Sequence, residues 1–385
     1  MEFNVNHITP ALFGPDTSLK TGERLKMLGC TKVLFVFDQG VKKTGAPDKI
    51  MAKVKEAGIS IVAFDGVQAD PPDYTVDQGA EFGRKENVDG VVGVGGGSTM
   101  DTAKAINLLL GNPGSISQYL SFPPPPMKPG KALILIPTTS GTGSEVTQYA
   151  VISDMKTHTK RSPVGPLVRA TFAIVDPMLT VGMPPSVTAD TGMDAFAHCV
   201  EAMTAVQRNP MSDILAERGI SLVMQYLPKV VKDGKDIEAR TQMSFAAMLG
   251  GYAFNDSNTH LGHAVGHTLG SMYHIPHGNA CSASLPEILE CEAEAVPEAV
   301  EQIAKAMGLR VKKGAAPADV GKQVSEALAK FMASIGQKTL KQLNVPETDL
   351  AKVAEVAGGP GLAMSSARKV NKDDVLTILK KARVR

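Results

Sequence analysis

The residues best able to do chemistry are histidines, and they are unevenly spread. Six of the eight fall between residues 198 and 277. Asp194 precedes His198 by four positions, so on a helix the carboxylate and the imidazole share one face. His260, His263 and His267 are spaced i, i+3, i+7, again one helical face. His274 and His277 follow in Tyr273-His274-Ile275-Pro276-His277-Gly278, where Pro276 and Gly278 predict a loop. A lone histidine is more often structural than a ligand. Five within 18 positions, beside an Asp-x-x-x-His pair, point to a divalent metal. The donors on offer are a carboxylate and imidazoles, without a thiolate cluster, which suits Fe2+ and Zn2+ alike. His263-Ala264-Val265-Gly266-His267 lacks the glutamate that activates water in zinc proteases, which argues against metal-assisted hydrolysis.

Two other stretches could hold a phosphorylated cofactor. Gly93-Val94-Gly95-Gly96-Gly97-Ser98 follows a strand pattern and leads into a helix predicted over 99–110. Glycines let backbone N–H groups reach an anion, and the helix N-terminus adds partial positive charge. Ser98 suits an N-cap or a phosphate ligand. The run also reads as a plain tight turn. It is not the standard dinucleotide fingerprint, because the third glycine and the later acid are missing. An acid lies upstream instead. Asp38 ends the strand 33–37, where it either closes a turn or accepts hydrogen bonds from an adenosine ribose and repels a 2′-phosphate. The second stretch is Pro137-Thr138-Thr139-Ser140-Gly141-Thr142-Gly143-Ser144-Glu145. It gathers hydroxyls and glycines at the end of the strand 132–136, where open α/β sheets bind ligands.

The elements that must position these residues fall into two textures. Apolar, β-branched runs at 32–37, 60–64, 90–94, 132–136 and 172–175 alternate with helical patterns such as 48–57 and 76–86. That order predicts an α/β domain with a parallel sheet buried on both faces. Residues 122–126, Phe-Pro-Pro-Pro-Pro, predict a surface loop. Beyond Pro184-Pro185 helical periodicity takes over, at 189–204, 210–225, 237–253, 297–307 and 373–382. The expected division is a dinucleotide-binding α/β domain over 1–185 and an all-helical, metal-binding domain over 186–385. A chain of 385 residues exceeds one comfortable core, which fits two domains.

Forty basic against 39 acidic residues leave a net charge of +1, which gives no basis for a nucleic-acid or membrane-surface partner. No apolar run approaches the ~18 residues of a membrane span, and the first residues lack the pattern of a secretory leader. The four cysteines form no C-x-x-C pair and read as small buried apolar residues. A reducing, cytoplasmic setting is expected.

These residues resemble the iron-containing (group III) alcohol dehydrogenases over nearly the whole chain. The likeness rests on Gly95-Gly96-Gly97-Ser98-x-x-Asp101-x-Ala103-Lys104, on the stretch 137–145, on Gly192-Met193-Asp194-Ala195-x-x-His198, and on His263-x-x-x-His267 followed by Pro276-His277-Gly278. The resemblance implies a dehydroquinate synthase-like architecture, with NAD(H) and Fe2+ (alternatively Zn2+) in the cleft between the two domains. It implies Asp194, His198, His263 and His277 as metal ligands and His267 as a proton relay. It places Asp38, Gly95, Gly96, Gly97, Ser98, Asp101, Thr138, Thr139, Thr142 and Lys160 at the cofactor. Asp70-Pro71 departs from the family's usual Asn-Pro, and Ser366-Ala367-Arg368 from Asn-Pro-Arg. His260 and His274 are not family ligands and are expected behind the ligands or on the cleft wall, touching a polar substrate. The implied activity is hydride transfer between NAD(H) and a small, polar alcohol/aldehyde pair. A glycerol-type polyol dehydrogenase or a dehydroquinate synthase-like enzyme is the alternative on the same scaffold. The family also implies a homodimer or larger homo-oligomer.

Overall fold

The computed structural model describes residues 3, 5, 9–121, 123–157 and 159–385. Most of residues 1–6, where a leader was sought, and Phe122 of the proline-rich stretch lie outside them. Residues 123–126 adopt no helix.

The apolar runs become strands because both faces are covered. The strands are β1 (Ala11–Phe13), β2 (Lys32–Asp38), β3 (Ser60–Val67), β4 (Gly90–Gly95), β5 (Ala132–Pro137), β6 (Ile152–Asp154), β7 (Thr159–Arg161) and β8 (Phe172–Val175). Six form one sheet in the order β1-β8-β5-β4-β2-β3, and every pairing in it is parallel. The helices of this unit are α1 (Thr21–Met27), α2 (Gln39–Lys42), α3 (Ala46–Glu56), α4 (Asp73–Lys85) and α5 (Gly97–Gly111). Strand alternation sorts the core into two layers. Val33, Phe35 and Phe37 pack with Leu25 of α1 and Ile50 of α3. Leu34 and Val36 pack with Val76 of α4 and Ile106 of α5.

β2 pairs with β3 on one side and β4 on the other, so the chain reverses its direction across the sheet between them. The carboxyl ends of β2 and β4, at Asp38 and Gly95, flank that switch point, where open sheets of this kind take ligands. β1 and the β6–β7 hairpin were not predicted. At three residues each they are too short for alternation to show. Asp154 closes the hairpin turn by accepting from Lys156 N (2.9 Å) and Thr157 N (3.2 Å).

A second compact unit comprises Met183–Arg385 together with Ser140–Thr142, while Gly143–Gly182 belongs with the sheet. Its helices are α6 (Pro185–Thr204), α7 (Pro210–Lys232), α8 (Ile237–Ser257), α9 (Leu261–Tyr273), α10 (His277–Ser282), α11 (Leu285–Glu292), α12 (Pro297–Ala306), α13 (Pro317–Ser334), α14 (Leu350–Ala357) and α15 (Lys372–Val384). No strand occurs after β8 among the described residues. Prolines start α6, α7 and α12, where a missing N–H costs nothing. Asn209 caps α7 and Asp236 caps α8. No helix of the described residues is long and apolar enough to cross a membrane.

Candidate metal centre and cofactor loops

Helices α6, α9 and α10 meet closely because glycines at the contacts remove the Cβ that would hold the backbones apart. A Cβ on Gly278 would lie 1.8 Å from Asp190 O, and one on Gly266 would lie 2.4 Å from Cys281 Sγ. Asp194 and His198 stand one turn apart on α6, and His263 lies in the first turn of α9. His277 is the first residue of α10, so the loop expected there is a helix start with Pro276 as its N-cap. The Nε2 atoms of His277, His263 and His198 lie 3.5, 3.7 and 3.9 Å from Asp194 Oδ1. Four N/O donors at ~2.1 Å from one cation stand about 3.4 Å apart in a tetrahedron. Asp194 Oδ1 and His263 Nε2 are buried without a hydrogen-bond partner. Leaving such atoms unsatisfied costs on the order of 1–3 kcal/mol each, so the donor set fits a bound cation.

The other ring nitrogens set the tautomers. His263 Nδ1 donates to Glu201 Oε2, and His198 Nδ1 donates to Gly141 O at 3.3 Å. A carboxylate and a carbonyl only accept, so Nδ1 carries a proton in both rings and Nε2 is the nitrogen left to face a cation. Glu201 is held in turn by Gly262 N, which donates to Oε1 at 2.6 Å. The His198 ring stacks on Phe254 (4.3 Å) and on His263 (4.6 Å), which limits its rotation.

The electrostatics favour positive charge at this point. Burial pushes the Asp194 carboxyl up, but His198, His277 and His263 outweigh it and hold the group well below the usual carboxylate range. Burial likewise opposes ionisation of Glu201, yet His263 and His260 bring it down to about 2. Burial lowers His198 to about 4, which keeps its ring neutral. His263 is raised well above its ordinary value: burial works against this, and Cys281, Glu201 and Asp194 overcome it.

The remaining histidines divide. His267 is half-buried beside the cluster, its ring 5.4 Å from that of His277 and 6.2 Å from that of His263. His260 is 0% exposed and donates from Nε2 to Thr204 Oγ1 at 2.8 Å. It is closed to a substrate, so the cleft-wall expectation does not hold for it. His274 is an exposed, left-handed C-cap of α9 (φ 53).

On the sheet unit, Asp38 Oδ1 caps α2 by accepting from Val41 N (2.9 Å), and Oδ2 accepts from Thr99 Oγ1 (3.0 Å). Helix α5 begins at Gly97 with Gly96 as its N-cap and no side-chain cap. Ser98 is therefore inside the first turn rather than the cap. A Cβ on Gly96 would lie 3.6 Å from Thr139 Oγ1, so the two glycine-rich loops face each other, and Thr138 N donates to Gly95 O at 3.0 Å.

The Asp101 carboxylate accepts from Ser144 Oγ (2.6 Å) and Val151 N (2.9 Å), so it braces the second loop. Buried Lys104 supports the same loop by donating to Ser144 Oγ (2.9 Å) and Tyr149 O (2.7 Å). Lys160 Nζ pairs with Asp70 Oδ1 at 2.7 Å, so the Asp70-Pro71 departure takes up this lysine's charge. The loop then carries Ser140–Thr142 into the helical unit. There Ser140 Oγ meets Ser244 Oγ at 2.9 Å, Gly141 lies against Thr191, and Thr142 is half-buried.

The comparisons agree with this construction. The family model for iron-containing alcohol dehydrogenase matches residues 9–177, and that for the C-terminal part of the same family matches residues 188–383. The chain belongs to the iron-containing alcohol dehydrogenase family. It is 38% identical over 378 residues to a 1,3-propanediol dehydrogenase of Citrobacter freundii, covering 96% of each. It is 35% identical over 377 residues to an NAD-dependent methanol dehydrogenase of Bacillus methanolicus, covering 97% of this chain and 98% of the other. The crystal structure of a 1,3-propanediol oxidoreductase superposes with a TM-score of 0.95 at 35% identity, over 99% of this chain and 100% of the other. The protein is thus an NAD-dependent alcohol oxidoreductase.

Two residues of this dehydrogenase's centre escaped the sequence reading. Glu201 continues the stripe begun by Asp194 and His198 at i+7, a spacing that could have exposed it. Cys281 follows His277 by four and repeats the one-turn spacing that singled out Asp194 and His198.

Proposed function

We propose that this dehydrogenase interconverts a small polar alcohol and its aldehyde with NAD(H), at a divalent cation held by Asp194, His198, His263 and His277. The convergence of three imidazole Nε2 atoms on a buried, unpartnered Asp194 Oδ1 carries the proposal. Bound there, Fe2+ or Zn2+ supplies Lewis acidity toward the substrate oxygen, and the nicotinamide supplies the hydride carrier. Asp194 contributes the balancing negative charge. Glu201 keeps the proton of His263 on Nδ1, and Gly141 does the same for His198. His267, beside two of the ligands and half-buried, holds the proton exchanged with the substrate hydroxyl and passes it toward solvent.

In this reading NAD(H) binds at the switch point of the sheet, in the 1–185 domain. The N–H groups at the α5 N-terminus, with Gly95, Gly96, Gly97 and Ser98, take the pyrophosphate. Asp38 accepts from the adenosine ribose, Thr138, Thr139 and Thr142 line the second loop, and Lys160 approaches the nicotinamide ribose from its partner Asp70. The substrate class is supported by relatives whose names specify propanediol and methanol.

The test is NADH oxidation over a panel of small aldehydes, with and without a second hydroxyl, using chelator-stripped protein reloaded with Fe2+ or Zn2+. Stripped protein should be inactive and either metal should restore turnover, fastest with a hydroxyaldehyde. His198→Ala should retain neither metal nor activity. Full turnover by chelated His198→Ala would refute the metal assignment.

A further inference from the structure

We propose that His260 is a positioning residue for the metal centre: its buried ring carries a proton on each nitrogen and, as a cation beside Glu201, steadies the carboxylate that orients His263. The inference rests on the reading of His263 as a ligand and reaches one residue further back. His260 is the N-cap of α9, three residues before His263, and is 0% exposed. Glu201, on α6, is equally buried, with His263 Nδ1 on one oxygen and Gly262 N on the other.

Two contacts locate the protons of the His260 ring. Thr204 Oγ1 has one hydrogen, which it donates to Val200 O at 2.8 Å. Toward His260 Nε2, also at 2.8 Å, Thr204 Oγ1 therefore accepts, and Nε2 carries a proton. His260 Nδ1 is buried without a hydrogen-bond partner and stands 3.5 Å from Glu201 Oε1. A bare Nδ1 would aim its lone pair at a carboxylate where water reaches neither group, which is unfavourable for both. With a proton on Nδ1 the same contact becomes an attraction between opposite charges, and burial strengthens it.

A second buried acid favours the same cation. Glu292, the last residue of α11, is 1% exposed and accepts from Ser366 Oγ and, at 3.1 Å, from Arg368 N. Burial pushes its carboxyl up, and His260 leads the groups that pull it back down. A buried cation facing two buried acids leaves less charge uncompensated than the acids would alone. Without that cation the Glu201 carboxylate is held less firmly, and the His263 ring that it orients is held less firmly with it.

A double-variant cycle on full-length protein separates positioning from a general structural role. Zn2+ affinity is measured by chelator competition on wild type, His260→Gln, Glu201→Gln and the two combined, with circular dichroism to confirm the fold. Glutamine keeps a donor for Thr204 and removes the charge. His260→Gln should bind Zn2+ roughly tenfold more weakly. The combined variant should bind no more weakly than Glu201→Gln alone, because His260 acts through Glu201. Losses that simply add, or a loss under about twofold in His260→Gln, would overturn the proposal. A second measurement needs no variant to fold: nitrogen-15 spectra of histidine-labelled, Zn2+-loaded wild type in neutral buffer. They should show a ring with two slowly exchanging N–H protons, and a spectrum without such a ring would overturn the proposal as well, leaving the metal centre intact. If wild type binds no Zn2+, the metal reading falls and the positioning role falls with it.

Discussion

Replacing Glu201 with glutamine should damage the metal centre far more than one lost charge at the surface would, because the pocket cannot accommodate an amide in either orientation. Glu201 is 0% exposed, and its two oxygens serve different donors: Oε1 accepts from Gly262 N at 2.6 Å, and Oε2 accepts from His263 Nδ1. If the introduced amide kept its oxygen on Gly262, its NH2 would face Nδ1. His263 would then move its proton to Nε2, the atom needed for the cation. If the amide flipped, NH2 would oppose Gly262 N–H, and a buried donor would go unsatisfied at a cost of about 1–3 kcal/mol. Loss of such an orienting partner typically costs roughly 10–100-fold in metal affinity, or ~1.4–2.7 kcal/mol. The assay is Zn2+ affinity by chelator competition on wild type, Glu201→Gln and Glu201→Asp, with circular dichroism to confirm the fold. Glu201→Gln should weaken binding by about tenfold or more. Glu201→Asp, which keeps two acceptors, should fall in between. A change under about twofold in Glu201→Gln would show that the His263 tautomer is not set this way.

Gly95→Ala places a Cβ 2.4 Å from Thr99 Oγ1 and 2.5 Å from Thr99 Cβ, and so moves the residue that donates to Asp38. Overpacking of this kind costs about 1–3 kcal/mol. Calorimetry should show a lowered Tm and fluorescence titration a weaker NADH affinity. Asp38→Gly removes the charge facing a 2′-phosphate, while loss of the helix cap costs only about a few tenths of a kcal/mol because glycine is itself tolerated there. The KM ratio of NADPH to NADH should fall by roughly tenfold, equivalent to ~1.4 kcal/mol, and an unchanged ratio would take Asp38 out of the site. Burial raises Glu145 to about 7, so the folded protein holds this proton more tightly than the unfolded chain. Stability from this group is full below the ordinary carboxylate value and is lost as pH rises toward 7, by ~3 kcal/mol at most. Urea denaturation across that window should show the decline in wild type and a flatter profile in Glu145→Gln.

Legibility in the sequence followed the length scale of each feature. The long β-branched runs and the 3.6-residue periodicities marked five of the eight strands among the described residues and the helices that carry Asp194, His198 and His263, because those patterns report burial directly, whereas the short α10 of His277 read as a loop. Asp194-x-x-x-His198 and His263-x-x-x-His267 were readable for the same reason: one turn of helix fixes which side chains share a face. Features that depend on distant segments were not. Glu201 has no visible partner along its own helix until α9 brings Gly262 and His263 to it, 61 and 62 residues away. His260 belongs to the same histidine run as His263 but is buried against Thr204, 56 residues earlier. Asp101 looked like a cofactor contact next to the glycine loop. Its role as a brace became visible only with Ser144 and Val151 in place. The excursion of Ser140–Thr142 into the helical unit breaks a boundary that periodicity draws as one cut.

Anomalous X-ray diffraction from crystals of the Zn2+-loaded protein, recorded on both sides of the zinc edge, tests the central claim most directly. One strong peak should lie ~2.0–2.2 Å from Asp194 Oδ1 and from the Nε2 atoms of His198, His263 and His277. A peak elsewhere, or none near these four side chains, would contradict the account.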